Sequence, residues 1–252
     1  MRSDKVVTAC LLIIGNEILS GRTKDANLAY LGAGLNEIGV RLTEARVIPD
    51  QQDVIVATLN QVRRNFDYVF TTGGIGPTHD DITAECVAKA FGVPLIENPE
   101  ARAILESHYG PDDLNPARLR MANTPEGAAL IENPVSRAPG FQVENVFVMA
   151  GIPSVMQAMF QAIKHRLSGG RPMLSATVSA ALPESYLAPG LGAIQDRYAE
   201  VEIGSYPFHR MGVFGVRLVL RSTESDRLNA ATGEVDELVR SLGGKPDTDT
   251  GE

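Results

Sequence analysis

Cysteine is scarce in this sequence: Cys10 and Cys86 are the only two, and no Cys/His cluster offers a structural zinc site. Both lie inside apolar segments and read as small buried hydrophobes. No apolar run reaches the roughly 18 residues of a membrane span, and the opening MRSDKVV has no signal-peptide core, so the expected location is the cytoplasm, with no membrane partner. Basic charge is also short. The 23 Lys and Arg stand against 31 Asp and Glu, a net charge of −8. That balance argues against nucleic acid as a partner, because such affinity rests on neutralising phosphates with Lys and Arg. A phosphorylated small molecule, bound through metal and backbone, stays compatible with it. What is present is ordinary globular composition, 44% hydrophobic and 21% charged, in 252 residues, enough for one large or two modest domains.

The stretch that organises the chain spans residues 66–91. Tyr68-Val69-Phe70-Thr71-Thr72 is a short apolar run suited to a buried parallel strand. Gly73-Gly74-Ile75-Gly76 then permits positive φ and close backbone approach by a ligand. Pro77 suits a first helical turn, Thr78, Asp80 or Asp81 can cap it, and Ile82, Cys86, Val87, Ala90 and Phe91 form an apolar face. Strand, glycine turn and helix together aim backbone N–H groups and a helix dipole at one point, as anion sites do. Asp80 and Asp81 are either caps or, beside bare amides, ligands of a divalent metal bound to a diphosphate. Other phosphate motifs fail: the turn closes in Gly76-Pro77-Thr78 without the lysine of a P-loop, and His79 stands where a dinucleotide fingerprint needs glycine.

The run Gly73-Gly74-Ile75-Gly76-Pro77-Thr78-His79-Asp80-Asp81-Ile82-Thr83 resembles the GG-x-GPT-x-DD-x-T signature of the molybdopterin-binding (molybdenum cofactor biosynthesis) domain. The branch it resembles is found in competence/damage-inducible protein A and at the N-terminus of eukaryotic FAD synthases. GNEILSG at 15–21 with Asp25-Ala26-Asn27 is similar to that family's first loop, and 124–141 to its A-x-x-P-E-G…N-P…APGF segment. The resemblance implies that Asp50 joins the active-site cluster; read alone, Asp50 is a turn residue after a strand. Glu17, at the carboxyl end of a central strand, is either a site carboxylate or a solvated loop charge, and Asn27 can donate and accept near a ligand. The family pattern also places a glutamate at 155, where this chain has Val155.

In chain order, residues 6–14 read as a central strand, 25–38 as a helix, 40–48 as a strand nearer an edge, and a helix follows with Asp53 as cap. Beyond the central motif come an extended segment at 93–96, a helix at 100–109 and a proline-broken region at 110–123. Arg118, Arg120 and Arg137 in and after that region can meet anions bidentately, though each alone reads as a surface arginine. A hairpin turning at Glu144-Asn145 leads into a second strand, glycine turn and helix unit at Gly151 and Pro153. After a Gly-Pro linker at 168–172 come a strand at 174–182, a helix at 184–198 broken near Pro189-Gly190, strands at 201–203 and 213–220, and a helix at 226–242. Val201-Glu202-Ile203-Gly204-Ser205-Tyr206-Pro207 resembles the segment that follows the pterin domain in the same branch, and the resemblance implies a KH-like fold for this second domain. Gly212-Val213-Phe214-Gly215 spells GxxG, but between strands and without basic neighbours, so RNA binding is not expected.

The expected architecture is α/β: a mostly parallel, doubly wound sheet with helices on both faces over 1–168, a small α+β (KH-like) domain over 173–243, and a disordered tail over 244–252. No further domain like the deamidase of longer relatives is expected. Loops 15–21, 49–53, 73–81 and 151–154 fall at the carboxyl edge of the sheet, where such folds bind ligands. The expected catalytic residues are Glu17, Asp50, Asp80 and Asp81, with Asp80 and Asp81 holding Mg or Co. The expected ligand-contacting residues are Gly15, Asn16, Asn27, Thr72, Gly73, Gly74, Gly76, Pro77, Thr78, Thr83, Gly151 and Pro153. The resemblance implies hydrolysis of a nucleoside-diphosphate-linked compound such as ADP-ribose or FAD. Two alternatives stay open: adenylation of a molybdopterin-type pterin, and non-catalytic binding of a pterin or nucleotide. It also implies a homo-oligomer, a dimer or trimer.

Overall fold

The computed structural model describes residues 6–110, 113–210 and 213–249. Its helices are α1 (Asn16–Leu19), α2 (Asn27–Glu37), α3 (Gln52–Asn65), α4 (Thr83–Phe91), α5 (Pro99–His108), α6 (Pro116–Leu119), α7 (Pro153–Ile163), α8 (Glu184–Arg197) and α9 (Ser225–Ser241). Its strands are β1 (Val7–Ile14), β2 (Val40–Ile48), β3 (Tyr68–Thr72), β4 (Leu95–Glu97), β5 (Asn123–Pro125), β6 (Ala129–Ile131), β7 (Gly140–Val143), β8 (Val146–Met149), β9 (Leu174–Ala180), β10 (Glu202–Arg210), β11 (Val213–Ser222) and β12 (Asp247–Asp249). The chain divides into two compact units, Met1–Gly170 and Arg171–Glu252. Among the described residues no helix is long and apolar enough to cross a membrane.

The first unit is built on β1, whose continuous apolar run serves two cores at once. Ala9, Leu11 and Ile13 face Leu31 and Leu35 of α2 and Met156, Met159, Phe160 and Ile163 of α7. Cys10, Leu12 and Ile14 face the other way, against Ile55, Leu59 and Val62 of α3 and Cys86 and Val87 of α4. Both cysteines are buried thiols, pushed up to about 11 chiefly by desolvation. On the first face Phe70 and Phe147 stack at 5.3 Å, with Phe160 edge-on to Phe70 at 6.3 Å. Gly34 makes that possible, because a Cβ there would lie 2.5 Å from the Phe160 ring.

The six-stranded sheet has the order β2-β1-β3-β8-β7-β6, parallel from β2 to β8 and antiparallel beyond. The chain goes outward from β1 to β2 through α2, then returns through α3 on the opposite face to β3, on the far side of β1. A switch of direction therefore falls between β1 and β3, and their carboxyl ends flank the crevice where doubly wound sheets bind ligands.

The second unit is a four-stranded antiparallel sheet, β10-β11-β9-β12, covered by α8 and α9. Val178, Leu218, Leu220, Leu187, Leu191, Ile194, Leu228 and Val235 form its core. The helix expected to break near Pro189-Gly190 is continuous from Glu184 to Arg197. Leu187, Leu191 and Ile194 hold it through a buried stripe, and Gly190 lets Leu238 of α9 approach to where a Cβ would be 2.5 Å away. The tail is corrected as well: β12 pairs antiparallel with β9, Thr248 opposite Val178, and the Thr248 hydroxyl donates to Asp236 Oδ1 at 2.7 Å. The edge of β9 offers backbone partners far away in sequence, which local composition does not record. Residues 250–252 of the expected tail, Gly212 of the GxxG and residues 111–112 of the proline-broken segment lie outside the described residues.

Candidate functional site

The glycine turn after β3 shows why those positions lack side chains. Gly73 (φ 104) and Gly74 (φ 69) are in the left-handed region, which costs a residue bearing Cβ. A Cβ at Gly73 would lie 2.2 Å from the Ile14 carbonyl oxygen, and one at Gly74 2.2 Å from Thr83 Oγ1. Thr83, wholly buried, ties the turn down: its hydroxyl donates to Gly73 O at 3.0 Å and its amide to Gly74 O at 3.0 Å. On the other side a Cβ at Gly151 would approach Gly73 Cα to 3.3 Å. The turns after β3 and β8 are thus packed backbone on backbone at the sheet's carboxyl edge.

Two expectations about this turn need correction. The Gly73 amide is not bare, since it donates to Met149 O at 3.1 Å. Among the described residues the amides of Gly74, Ile75 and Gly76 donate to no protein acceptor. The helix also begins later than Pro77: α4 starts at Thr83, and residues 77–82 form a loop. A local turn holds the loop there: the Asp81 carboxylate accepts from the Thr78 amide at 2.8 Å, and the Asp81 amide donates to Thr78 O at 3.3 Å. Glu85, not Asp80 or Asp81, is the acidic residue of the first helical turn.

Asp80 and Asp81 do converge. Asp80 Oδ1 and Asp81 Oδ2 lie 2.6 and 2.5 Å from the same Thr78 hydroxyl. One hydroxyl carries one proton and can donate to only one of them. The Asp80 carboxyl is held below its usual value, first by the Thr78 hydroxyl, then by a backbone N–H and the nearby His79. Two carboxylates meeting at one point are a hard-oxygen donor set of the kind that Mg²⁺ shares with phosphate. Among the described residues no three His, Cys, Asp or Glu side chains gather closely enough to hold a metal.

Asp50 and Glu17 are therefore not brought to Asp80 and Asp81 as a single cluster. Asp50 follows β2, two strands from β3, a separation of roughly 10 Å at normal strand spacing. Its Oδ2 accepts from the Asn16 amide at 2.8 Å, and the Gly15 amide donates to Ile48 O at 3.1 Å, so Asp50 pins the loop after β1. Glu17 is exposed and folds back over Gly15, where a Cβ would lie 2.4 Å from its carboxylate. Asn27, at the start of α2, is 3% exposed and donates to Gly151 O at 2.9 Å. Its Oδ1 and the buried Thr72 Oγ1 have no protein partner among the described residues. Pro77 and Pro153 are exposed, Pro153 opening α7. Val155 is 4% exposed in the core beneath α7, so this position packs and carries no charge.

On the α4 flank of the turn lies a cavity of about 210 Å³, bounded by Gly74, Ile75, Gly76, Asp81, Glu85, Leu95, Arg120, Met121, Asn123, Pro139 and Phe141. Sequence reading had put Asp81 and the glycines together but missed Glu85. The one sequence signal was the position of Glu85, an acidic residue in the first turn of the helix that follows the glycine turn. Leu95, Met121 and Phe141 come from elements that only the fold brings near.

Residues 10–169 match the family model "Probable molybdopterin binding domain", and residues 172–243 match "FAD synthase, middle domain". A protein of Archaeoglobus fulgidus is 32% identical over 229 residues, covering 91% of this chain and 96% of that one. A CinA-like protein of Salinibacter ruber is 32% identical over 258 residues, but the match spans 97% of this chain and 62% of that protein. The crystal structure of CinA, of unknown function, from Thermoplasma acidophilum aligns with 37% identity and a TM-score of 0.60, covering 63% of this chain and 96% of that one. With a glycine turn built as its signature requires and a match over most of its length, this chain belongs to the molybdopterin-binding domain family, in its CinA-type branch.

Proposed function

We propose that the site binds a phosphorylated nucleotide or pterin and hydrolyses a nucleoside-diphosphate-linked compound of the ADP-ribose or FAD class with a divalent metal, Mg or Co. The observation that carries this reading is the set of bare amides at Gly74, Ile75 and Gly76 on the wall of a cavity that also holds two carboxylates. Three fixed N–H groups suit phosphoryl oxygens, whose charge grows as a P–O bond breaks. The match to an FAD synthase middle domain supports a nucleotide-linked substrate.

Asp80 and Asp81 would hold the cation, which would offset the diphosphate's charge. The chain's own work is then binding, orientation and proton transfer. Water forms a bond to one phosphorus, the bridging P–O bond breaks, and the departing oxygen leaves as the second phosphate product. The base that takes the water proton is Glu85. Asp81 already accepts from the Thr78 amide, and Asp80 is held ionised at a lowered pKa, which makes it a weak base. Glu85 borders the cavity with no hydrogen bond or ion pair among the described residues.

Incubation with ADP-ribose or FAD and Mg²⁺ or Co²⁺ should release AMP, and Glu85→Gln should lower kcat by about a hundredfold or more. Pterin-dependent ATP turnover without AMP release from either compound would favour the adenylyltransferase reading. A raised Tm with no product would favour a binding module. The family resemblance further supports a homo-oligomer, dimer or trimer, which sedimentation equilibrium reads directly.

A further inference from the structure

Three arginines of the segment after α5 and of the turn before β7 face different fates. Arg118 is occupied: Nη1 donates to Asp113 O at 2.5 Å, lies 3.5 Å from Asp113 Oδ1, and the guanidinium sits 4.3 Å over the Tyr109 ring. Arg137 is exposed in a left-handed conformation (φ 65), its amide bonded to Asn133 O at 3.0 Å. Arg120 alone among them borders the cavity. It makes no hydrogen bond or ion pair through its side chain with any described residue, although Asp81 and Glu85 border the same space.

The backbone beneath Arg120 is firmly placed. It opens the short turn Arg120–Ala122; Ala122 is wholly buried against Ala101 and Leu105, and Ala122 O accepts from the Asn98 amide at 2.9 Å. β5 follows at once and pairs with β4. A guanidinium presents five donors in a planar fork, matched to phosphoryl oxygens. The cavity therefore has bare amides on one wall and an unpaired cation on a fixed segment of another.

We propose that Arg120 sets the specificity of this site: it holds the second phosphoryl group of a diphosphate whose first lies on the amides of Gly74, Ile75 and Gly76, so that the site prefers diphosphates to monophosphates. This rests on the reading that the glycine turn binds phosphate, and it does not need hydrolysis to occur. For a diphosphate diester charge count does not select, since it and a doubly ionised monophosphate each carry about two charges; free pyrophosphate carries more, and Arg120→Lys, which keeps the charge, separates charge from spacing. Selection comes from two anionic groups spaced across one bridging oxygen.

The test uses the full chain, titrated calorimetrically with pyrophosphate and with orthophosphate. The wild type should prefer pyrophosphate. Arg120→Ala should weaken pyrophosphate binding by about 10- to 100-fold, the size of a lost charge-assisted contact, and change orthophosphate binding by less than about threefold. Arg120→Lys, which keeps the charge without the fork, should recover part of the loss, and Arg118→Ala should bind as wild type. Folded Arg120→Ala that keeps the wild-type pyrophosphate preference overturns the proposal. AMP release from ADP-ribose with an unchanged KM in Arg120→Ala also overturns it, while leaving the hydrolase reading intact. The converse, an Arg120-dependent pyrophosphate preference with no AMP formed, supports it and removes the hydrolase reading. A wild type that binds neither pyrophosphate nor ADP-ribose removes both.

Discussion

At the scale of single residues, Thr78 is the hinge of the site's electrostatics. Its hydroxyl meets both aspartates, and its amide is capped by Asp81. A carboxyl with a lowered folded pKa stabilises the protein above its unfolded value, about pH 4, and that contribution fades as pH falls through the folded value. Asp80 is such a group. Thr78→Val should therefore raise the Asp80 midpoint toward the ordinary 3.8 in an NMR carboxyl titration. An unmoved midpoint would assign the shift to the backbone and His79 instead. This residue also shows where sequence reading stops. Gly73, Gly74, Gly76, Asp80 and Asp81 were legible because their types are rare in that order and each serves one geometric need. That residues 77–82 stay out of the helix was not, because Thr78 and Asp81 are good caps and good loop-formers alike, and their mutual bonds decide between the two.

At the scale of elements, periodicity carried most of the information. The run in β1 read as a strand buried on both faces, and its alternate residues do serve two separate cores. The bounds of β2 and the hairpin joining β7 to β8 at Glu144-Asn145 were likewise written in local pattern. Helix α8 was not, because Pro189 is a strong local break signal and the opposing term is tertiary. Mid-helix proline removes a hydrogen bond and crowds the preceding turn, at a cost of about 3 kcal/mol. Leu187, Leu191 and Ile194 hold the helix regardless. Pro189→Ala should consequently stabilise the second unit by about 2 kcal/mol, after roughly 1 kcal/mol is returned to the unfolded chain's freedom. Chemical denaturation followed by far-UV circular dichroism measures it; a loss of stability would show that the proline ring packs in a way that outweighs its backbone cost.

At the scale of the whole molecule, each unit closes its own core, and each sheet must also end somewhere. In the second unit one outer strand is β12, which carries Asp247 and Asp249; the other is β10. On β10 the Ile203 amide points away from β11 and donates to Gln195 Oε1 at 3.0 Å, while Gln195 Nε2 donates to Val201 O at 2.7 Å. Backbone amides alternate sides along a strand, so the next ones outward belong to 205, 207 and 209, and residue 207 is a proline with no N–H to give. Of four outward positions, one is plugged by a side chain and one is blank.

That outer strand, though long, offers an incoming chain an interrupted ladder, and this bears on how the protein behaves when concentrated. Exposed strands with a full row of donors recruit one another into fibrils. Replacing Gln195 by Ala and Pro207 by Val together would restore the row, and the double variant should gain light scattering and thioflavin fluorescence at concentrations where the parent stays clear. Colloidal stability in this molecule would then reside in one glutamine and one proline of the second unit.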